Sequence, residues 1–164
     1  MKRYCIYILT VILAGIISSC HSLDDDRIPY APVRIPFATD AMWEIYGVPG
    51  ALQHKRFIIG EGMPAGYPYT SLTYTGFAGV LLCGDILGNP VSYDLSCPVE
   101  RSKTVMIIVD EEASNAYCPK CHSVYDIFSN YGVPVAGEAA ERGYALRRYA
   151  VTTGMQGEKF IITN

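Results

Sequence analysis

The sequence predicts an all-β protein, and three observations support this. Short apolar and β-branched runs are separated by turn residues at intervals of a few positions. No long amphipathic helical pattern interrupts them. The clearest pattern is a hairpin, in which a buried-strand run at 79–84 is followed by a turn at 87–90 and an alternating run at 91–95. Together these patterns are typical of antiparallel sheets joined by tight connections.

The remaining elements follow in chain order. Residues 33–37 and 56–59 are predicted as short strands, and residues 40–46 fit either one helical turn or an edge strand. Residues 60–71 contain repeated glycine and proline and are predicted as loop. The later predicted strands are 104–110, 124–128, 146–151 and 159–162, with turns at 111–115 and 129–137. We expect the last two strands to form an antiparallel pair.

The first 19 residues have the pattern of a secretory signal peptide. Lys2 and Arg3 precede an apolar run at 4–17, which is shorter than the roughly 20 residues of a membrane-spanning helix. The sequence Ile17-Ser18-Ser19-Cys20 then resembles a bacterial lipobox, in which Cys20 becomes the acylated first residue. The alternative is an ordinary signal peptide cleaved near Ser19, with Cys20 left as a spare thiol. The lipobox interpretation implies a lipid-anchored protein of the bacterial cell envelope, with the outer membrane as its expected location.

The part of the chain that follows is predicted to contain one domain. Residues 20–34 are polar and punctuated by proline, so we predict a tether there and a single domain at 35–164. The acidic run at 24–26 fits either a surface-sorting signal or a solvated linker. Without Lys2 and Arg3, 11 of the 13 basic residues remain against 16 acidic ones, a net charge of −5. This balance argues against a nucleic-acid partner.

The cysteines provide the clearest functional signal. Cys118 and Cys121 form a Cys-x-x-Cys pair, and Cys97 lies in a second candidate loop after the predicted hairpin. Two cysteine loops with a strand excursion between them are typical of small β-domains that hold a metal or an iron–sulfur cluster. Cys83 lies within a predicted strand, too far from the loop to ligate, and is expected to be a buried core thiol. Export would place these thiols in an oxidising compartment, where disulfides are the usual outcome.

Residues 79–151 resemble the Rieske fold. The resemblance consists of a hairpin leading into a Cys-Pro loop, a strand excursion, the Cys118-Pro119 loop with its Ser-x-Tyr-Asp tail, a Gly-x-Pro-x-x-Gly turn and a closing Leu-x-x-Tyr-x-Val strand. Family members carry Cys-x-His in the first loop and Cys-x-x-His in the second, usually followed by Gly-Ser-x-Phe/Tyr-Asp. The resemblance implies stacked antiparallel sheets, a small two-loop cluster-binding subdomain at about 94–137, and one-electron transfer through a [2Fe–2S] centre.

This chain departs from the family at both histidine ligands. Val99 takes the histidine position of the first loop. Counting back from Ser123, Cys121 takes that of the second loop and His122 falls on the family's glycine. The predicted ligand set is therefore Cys97, Cys118 and Cys121, with His122 as the fourth donor and Glu100 as a weaker oxygen donor. Cys3His suits tetrahedral zinc, and thiolates with imidazole also suit a cluster of altered potential.

Two functional hypotheses remain open on the sequence. The first is a lipid-anchored, Rieske-like electron carrier or accessory protein with a redox partner, rather than an enzyme with its own catalytic domain. The second is a Rieske-fold module without a cluster, stapled by zinc or by a disulfide, that has a structural or binding role toward an envelope protein. In the disulfide version Cys97 pairs with Cys118 or Cys121 and leaves one thiol over.

Overall fold

The computed structural model describes residues 22–154 and 159–164. Within these ranges the chain forms eleven β-strands in two antiparallel sheets and only two short α-helices, which confirms the all-β prediction. The predicted signal peptide at 1–19 and the predicted lipidation site Cys20 lie outside the described residues. Among the described residues, no helix has the length and apolar character needed to cross a membrane.

The strands and helices have the following bounds. The strands are β1 (Val33–Phe37), β2 (His54–Phe57), β3 (Tyr74–Thr75), β4 (Val80–Gly84), β5 (Pro90–Asp94), β6 (Ile108–Asp110), β7 (Asn115–Tyr117), β8 (Val124–Asp126), β9 (Val133–Ala136), β10 (Arg148–Thr152) and β11 (Phe160–Thr163). The helices are α1 (Asp40–Tyr46) and α2 (Glu138–Arg142), and Ile59–Glu61 forms a 3-10 turn. The larger sheet has the spatial order β2-β4-β5-β10-β11-β1-β3, and the smaller one β6-β7-β8-β9.

Strand β4 lies between two hydrophobic clusters and explains how the core is divided. Its successive side chains point to opposite faces of the sheet. Val80 and Leu82 join the cluster that contains Phe37, Trp43 and Phe57, whereas Leu81 and Cys83 join the cluster beneath the cysteine loops. All five residues of β4 are buried. The predicted hairpin is confirmed, because β4 pairs with β5 along its whole length.

Several predictions at the chain ends are also confirmed. β1 has the predicted bounds and buries Val33, Ile35 and Phe37 in strict alternation. β10 and β11 form the expected antiparallel pair, with Val151 opposite Ile162. The open question at 40–46 is answered by α1, which begins after Thr39, whose hydroxyl accepts a hydrogen bond from the Met42 N–H at 3.2 Å.

Other boundaries differ from the predictions for physical reasons. The predicted turn at 129–137 contains β9, which includes Pro134 opposite Tyr125. β9 lies at the edge of the smaller sheet, where a residue without an N–H is tolerated. The predicted strand at 104–110 is regular only in β6, while Met106 makes an isolated bridge to Ser96. Helix α2 has only five residues, too few to produce a helical periodicity in the sequence.

The described part of the predicted tether lies against the domain. The Ile28 side chain is 1% exposed, and the Asp24 N–H donates to the Gly143 carbonyl at 2.8 Å. The Arg27 guanidinium lies 3.6 Å from the centre of the Tyr144 ring, and its Nε donates to the Pro98 carbonyl at 3.1 Å. This segment therefore contacts the loop that carries Cys97.

Candidate metal centre

Two hairpin connections carry the three clustered cysteines. The first cysteine loop, residues 97–105, follows Ser96, which pairs with Met106. The second cysteine loop, residues 118–123, joins β7 to β8. In each loop the N–H of the first cysteine donates to the carbonyl of the last loop residue. The Cys97 N–H donates to the Val105 carbonyl at 3.2 Å, and the Cys118 N–H donates to the Ser123 carbonyl at 2.9 Å. Sheet pairing therefore fixes the backbone of both cysteines.

The fold brings the sulfurs of Cys97, Cys118 and Cys121 to within 4.8 Å of one another. The Sγ atoms of Cys97 and Cys121 are 3.6 Å apart, although the residues are 24 positions apart in the sequence. Cys97 and Cys118 are fully buried, and Cys121 is partly exposed. No disulfide joins the four cysteines that the structure describes. The three thiols form a group that could bind a metal ion.

The three thiols differ in acidity. Burial raises the pKa of Cys97 to about 12, against the opposing effect of the hydroxyl of Tyr125 and the N–H groups of Glu100 and Val99. Burial also raises the pKa of Cys118. For Cys121, burial acts in the same direction, but hydrogen bonding with the Ser123 side chain and N–H, together with contacts to Cys118 and Cys97, outweighs burial and lowers the pKa. A metal ion therefore has to displace protons from the two buried thiols, while Cys121 loses its proton most readily.

Two hydroxyl groups contact the sulfurs. The Tyr125 hydroxyl lies 3.4 Å from Cys97 Sγ, and the tyrosine is fully buried. The Ser123 hydroxyl lies 3.3 Å from Cys121 Sγ and accepts a hydrogen bond from the Ala139 N–H at 3.0 Å. Such contacts orient metal ligands and adjust their basicity. Ser123 and Tyr125 were not among the site residues predicted from the sequence. The Ser-x-Tyr motif that contains both of them was the signal that could have identified them.

His122 is placed differently from the cysteines. Its backbone has a φ of +56°, its side chain is exposed, and it does not belong to the group of converging ligand atoms. Its role as the fourth donor remains a prediction. Val99, which the predicted Rieske resemblance places at a histidine position, is partly buried against the hydrophobic core. The first loop therefore uses this position for packing.

An ion pair joins the two loops beside the sulfurs. Lys120 Nζ contacts the Glu100 carboxylate, with the lysine side chain 66% exposed and the glutamate side chain only 13% exposed. The N–H of Glu100 and the N–H of Lys120 each donate to a buried sulfur, that of Cys97 and that of Cys118 respectively. The ion pair therefore lies at the cysteine group.

Cys83 lies apart from this group. It is fully buried on β4, opposite Val91, and burial raises the pKa of its thiol well above the usual range. Its position agrees with the predicted core thiol. The converging set thus contains three of the four described cysteines.

A scan against protein-family models found no match to this chain, and a search of curated proteins found none either. The functional conclusion therefore rests on the chemistry of the three thiols and their surroundings.

Proposed function

We propose that this chain is an exported, lipid-anchored, Rieske-like module whose Cys97, Cys118 and Cys121 hold a single zinc ion. In this proposal the ion ties the two cysteine loops together, and the module has a structural or binding role toward another envelope protein. One observation carries the proposal, namely that three sulfurs from two separate loops converge within 4.8 Å.

The donor set fits zinc. With zinc–sulfur bonds of about 2.3 Å, two sulfurs of a tetrahedral site are about 3.8 Å apart. The Sγ atoms of Cys97 and Cys121 are already 3.6 Å apart. Thiolates are soft ligands that favour zinc among the abundant divalent ions. Because a bound ion links residues that are distant in sequence, its binding free energy adds to the stability of the folded loops.

The same donor set fits a [2Fe–2S] cluster less well. Such a cluster needs two protein ligands on each of its two irons, and ligands on different irons are farther apart than ligands on one iron. Among the described residues the converging group contains three sulfurs, all mutually close. Val99 offers no ligand atom in the first loop. The arrangement therefore favours one metal ion over two.

The hydroxyl groups beside the sulfurs support electron transfer as a second proposal. The hydroxyls of Tyr125 and Ser123 both contact cysteine sulfurs. Hydrogen bonds to sulfur ligands are one of the means by which proteins set the potential of iron–sulfur clusters. Under this proposal the module carries a [2Fe–2S] cluster with non-standard ligands, including His122, and exchanges one electron with a redox partner.

The metal content of the protein decides between these proposals. The full chain is purified anaerobically in detergent, and zinc, iron, acid-labile sulfide and free thiols are measured. We expect one zinc ion per chain, no sulfide, and loss of the zinc in Cys118→Ser but not in Cys83→Ala. Iron with an equal amount of sulfide would support the electron-transfer proposal. A metal-free protein that lacks two thiols would refute both and indicate a disulfide staple.

A further inference from the structure

The two cysteine loops begin with the same type of turn. Residues 97–102 read Cys-Pro-Val-Glu-Arg-Ser, and residues 118–123 read Cys-Pro-Lys-Cys-His-Ser. Cysteine, proline and serine thus recur at the first, second and sixth positions. The main difference that bears on metal binding is at the fourth position, where Glu100 corresponds to Cys121.

The backbone of the two turns matches as well. The Cys97 carbonyl accepts a hydrogen bond from the Arg101 N–H at 2.8 Å, and the Cys118 carbonyl accepts one from the His122 N–H at 3.0 Å. Arg101 and His122, the fifth residues, both have positive φ angles, of 51° and 56°. In each turn the N–H groups of the third and fourth residues donate to the first cysteine sulfur.

The exposure of the side chains follows the same pattern. The fifth residue is exposed in both turns, which places Arg101 and His122 at the surface. The fourth residue is partly buried in both turns, and in the second loop this residue supplies the third sulfur. In the second loop, position four supplies a converging ligand atom and position five does not; in the first loop, the Glu100 carboxylate at position four lies outside the converging group and contacts Lys120 instead.

We propose that the Glu100 carboxylate is the fourth ligand of the metal ion, completing a tetrahedral Cys3Glu site. This inference rests on the proposed function, because it requires that the three thiols bind a metal. Carboxylate oxygens bind zinc at distances of about 2.0–2.2 Å, similar to those of its nitrogen ligands. The two turns then contribute ligands in the same way, each through its first and fourth residue.

Lys120 is the residue that holds this carboxylate in the present structure. Its ammonium group contacts the Glu100 carboxylate. When the metal ion binds, the carboxylate exchanges the Lys120 ammonium for the metal as its cationic partner. The Lys120 side chain is largely exposed, so its ammonium stays hydrated when the carboxylate moves to the metal. Three thiolates and one carboxylate exceed the charge of a divalent ion, and the positive charge of Lys120 partly offsets this excess.

Cobalt(II) serves as the probe, because its absorption reports both the number of thiolate ligands and the tetrahedral geometry. The full chain in detergent is titrated anaerobically with Co²⁺, and the dissociation constant is measured by competition with a chelator. The variants are Glu100→Gln, Glu100→Cys and Lys120→Met, and the matched control is Glu112→Gln, an exposed glutamate in the β6–β7 turn.

We expect Glu100→Gln to weaken Co²⁺ binding at least about tenfold, since even changes outside the ligand set cost 10–100-fold. Glu100→Cys should bind at least as tightly as the wild type, with stronger thiolate-to-cobalt absorption. Lys120→Met should retain binding and the tetrahedral spectrum, and Glu112→Gln should match the wild type.

The inference is overturned if the wild type binds Co²⁺ while Glu100→Gln keeps the same affinity and spectrum. It is also overturned if Glu100→Cys binds without additional thiolate absorption, and this variant decides the matter if Glu100→Gln fails to fold. A wild type that binds no Co²⁺ refutes the proposed function itself, which separates the two failures.

Discussion

Arg101 and His122 adopt the same left-handed backbone conformation, with φ angles of 51° and 56°, at equivalent positions in the two cysteine loops. Residues other than glycine rarely adopt this conformation, because Cβ approaches the following carbonyl oxygen. In the proposed resemblance to the Rieske family, the family has glycine at the position of His122. The backbone geometry thus gives a physical reason for glycine at that position, and its absence here marks a local strain.

Replacing His122 with glycine should relieve that strain. We expect His122→Gly to raise the free energy of unfolding by up to about 1 kcal/mol, because the left-handed conformation costs other residues about 1–2 kcal/mol and glycine gives part of this back as chain entropy. Urea unfolding measures the change. His122→Ala is the control that removes the imidazole but keeps Cβ. If both variants lose bound metal, the imidazole is a ligand after all.

Removing the hydroxyl of Tyr125 should weaken the metal centre. Tyr125→Phe loses the 3.4 Å contact with Cys97 Sγ, and we expect metal affinity to fall about 10–100-fold, as for other groups that orient ligands. Competition with a chelator measures this. The matched control is Tyr93→Phe, because the Tyr93 hydroxyl is also buried but donates to the Ile127 carbonyl at 2.9 Å. Equal losses of affinity in both variants would mean that the effect comes from general destabilisation.

Gly137 contacts the second cysteine loop from the neighbouring connection. Its φ is +75°, and a Cβ there would lie 2.9 Å from Ser123 Cα, a backbone atom beside the site. Gly137→Ala should therefore lower the free energy of unfolding by more than about 1 kcal/mol and weaken metal binding. Gly60→Ala is the control, since a Cβ at Gly60 meets nothing within 4 Å. Thermal unfolding with and without Zn²⁺ compares them, and equal effects would contradict this role for Gly137.

His54 should make stability depend on pH. Burial lowers its pKa below the ordinary value of 6.5, although the charge of Glu111 opposes the shift. The unfolded chain therefore binds the proton more readily, so stability is lost as the pH falls from above 6.5 through the folded-state pKa. Unfolding at about pH 7.5 and about pH 5.5 should show a smaller loss in His54→Gln than in the wild type. An identical loss in both proteins would show that other groups cause it.

Local patterns explain which parts of this fold could be predicted. The alternation in β1 and the hairpin β4–β5 depend on neighbouring residues, and both appear as predicted. β9 could not be predicted, because Pro134 is typical of a turn in the sequence. Its strand conformation depends on pairing with β8, which is a tertiary contact. The same limit applies to Ile28, which is buried by residues far from it in the chain.

By itself, the sequence determined the all-β class and identified Cys97, Cys118 and Cys121 as candidate metal ligands. Turn residues, alternation and a Cys-x-x-Cys pair are local features, so they can be read without the fold. Only the tertiary structure brought the Sγ atoms of Cys97 and Cys121 to 3.6 Å from each other. The two cysteines lie in separate hairpin connections, and strand pairing has to place these connections side by side. It also placed His122 at the surface and Glu100 beside Lys120. Those positions depend on the left-handed turn and on contacts between the loops, which residue type and spacing do not specify.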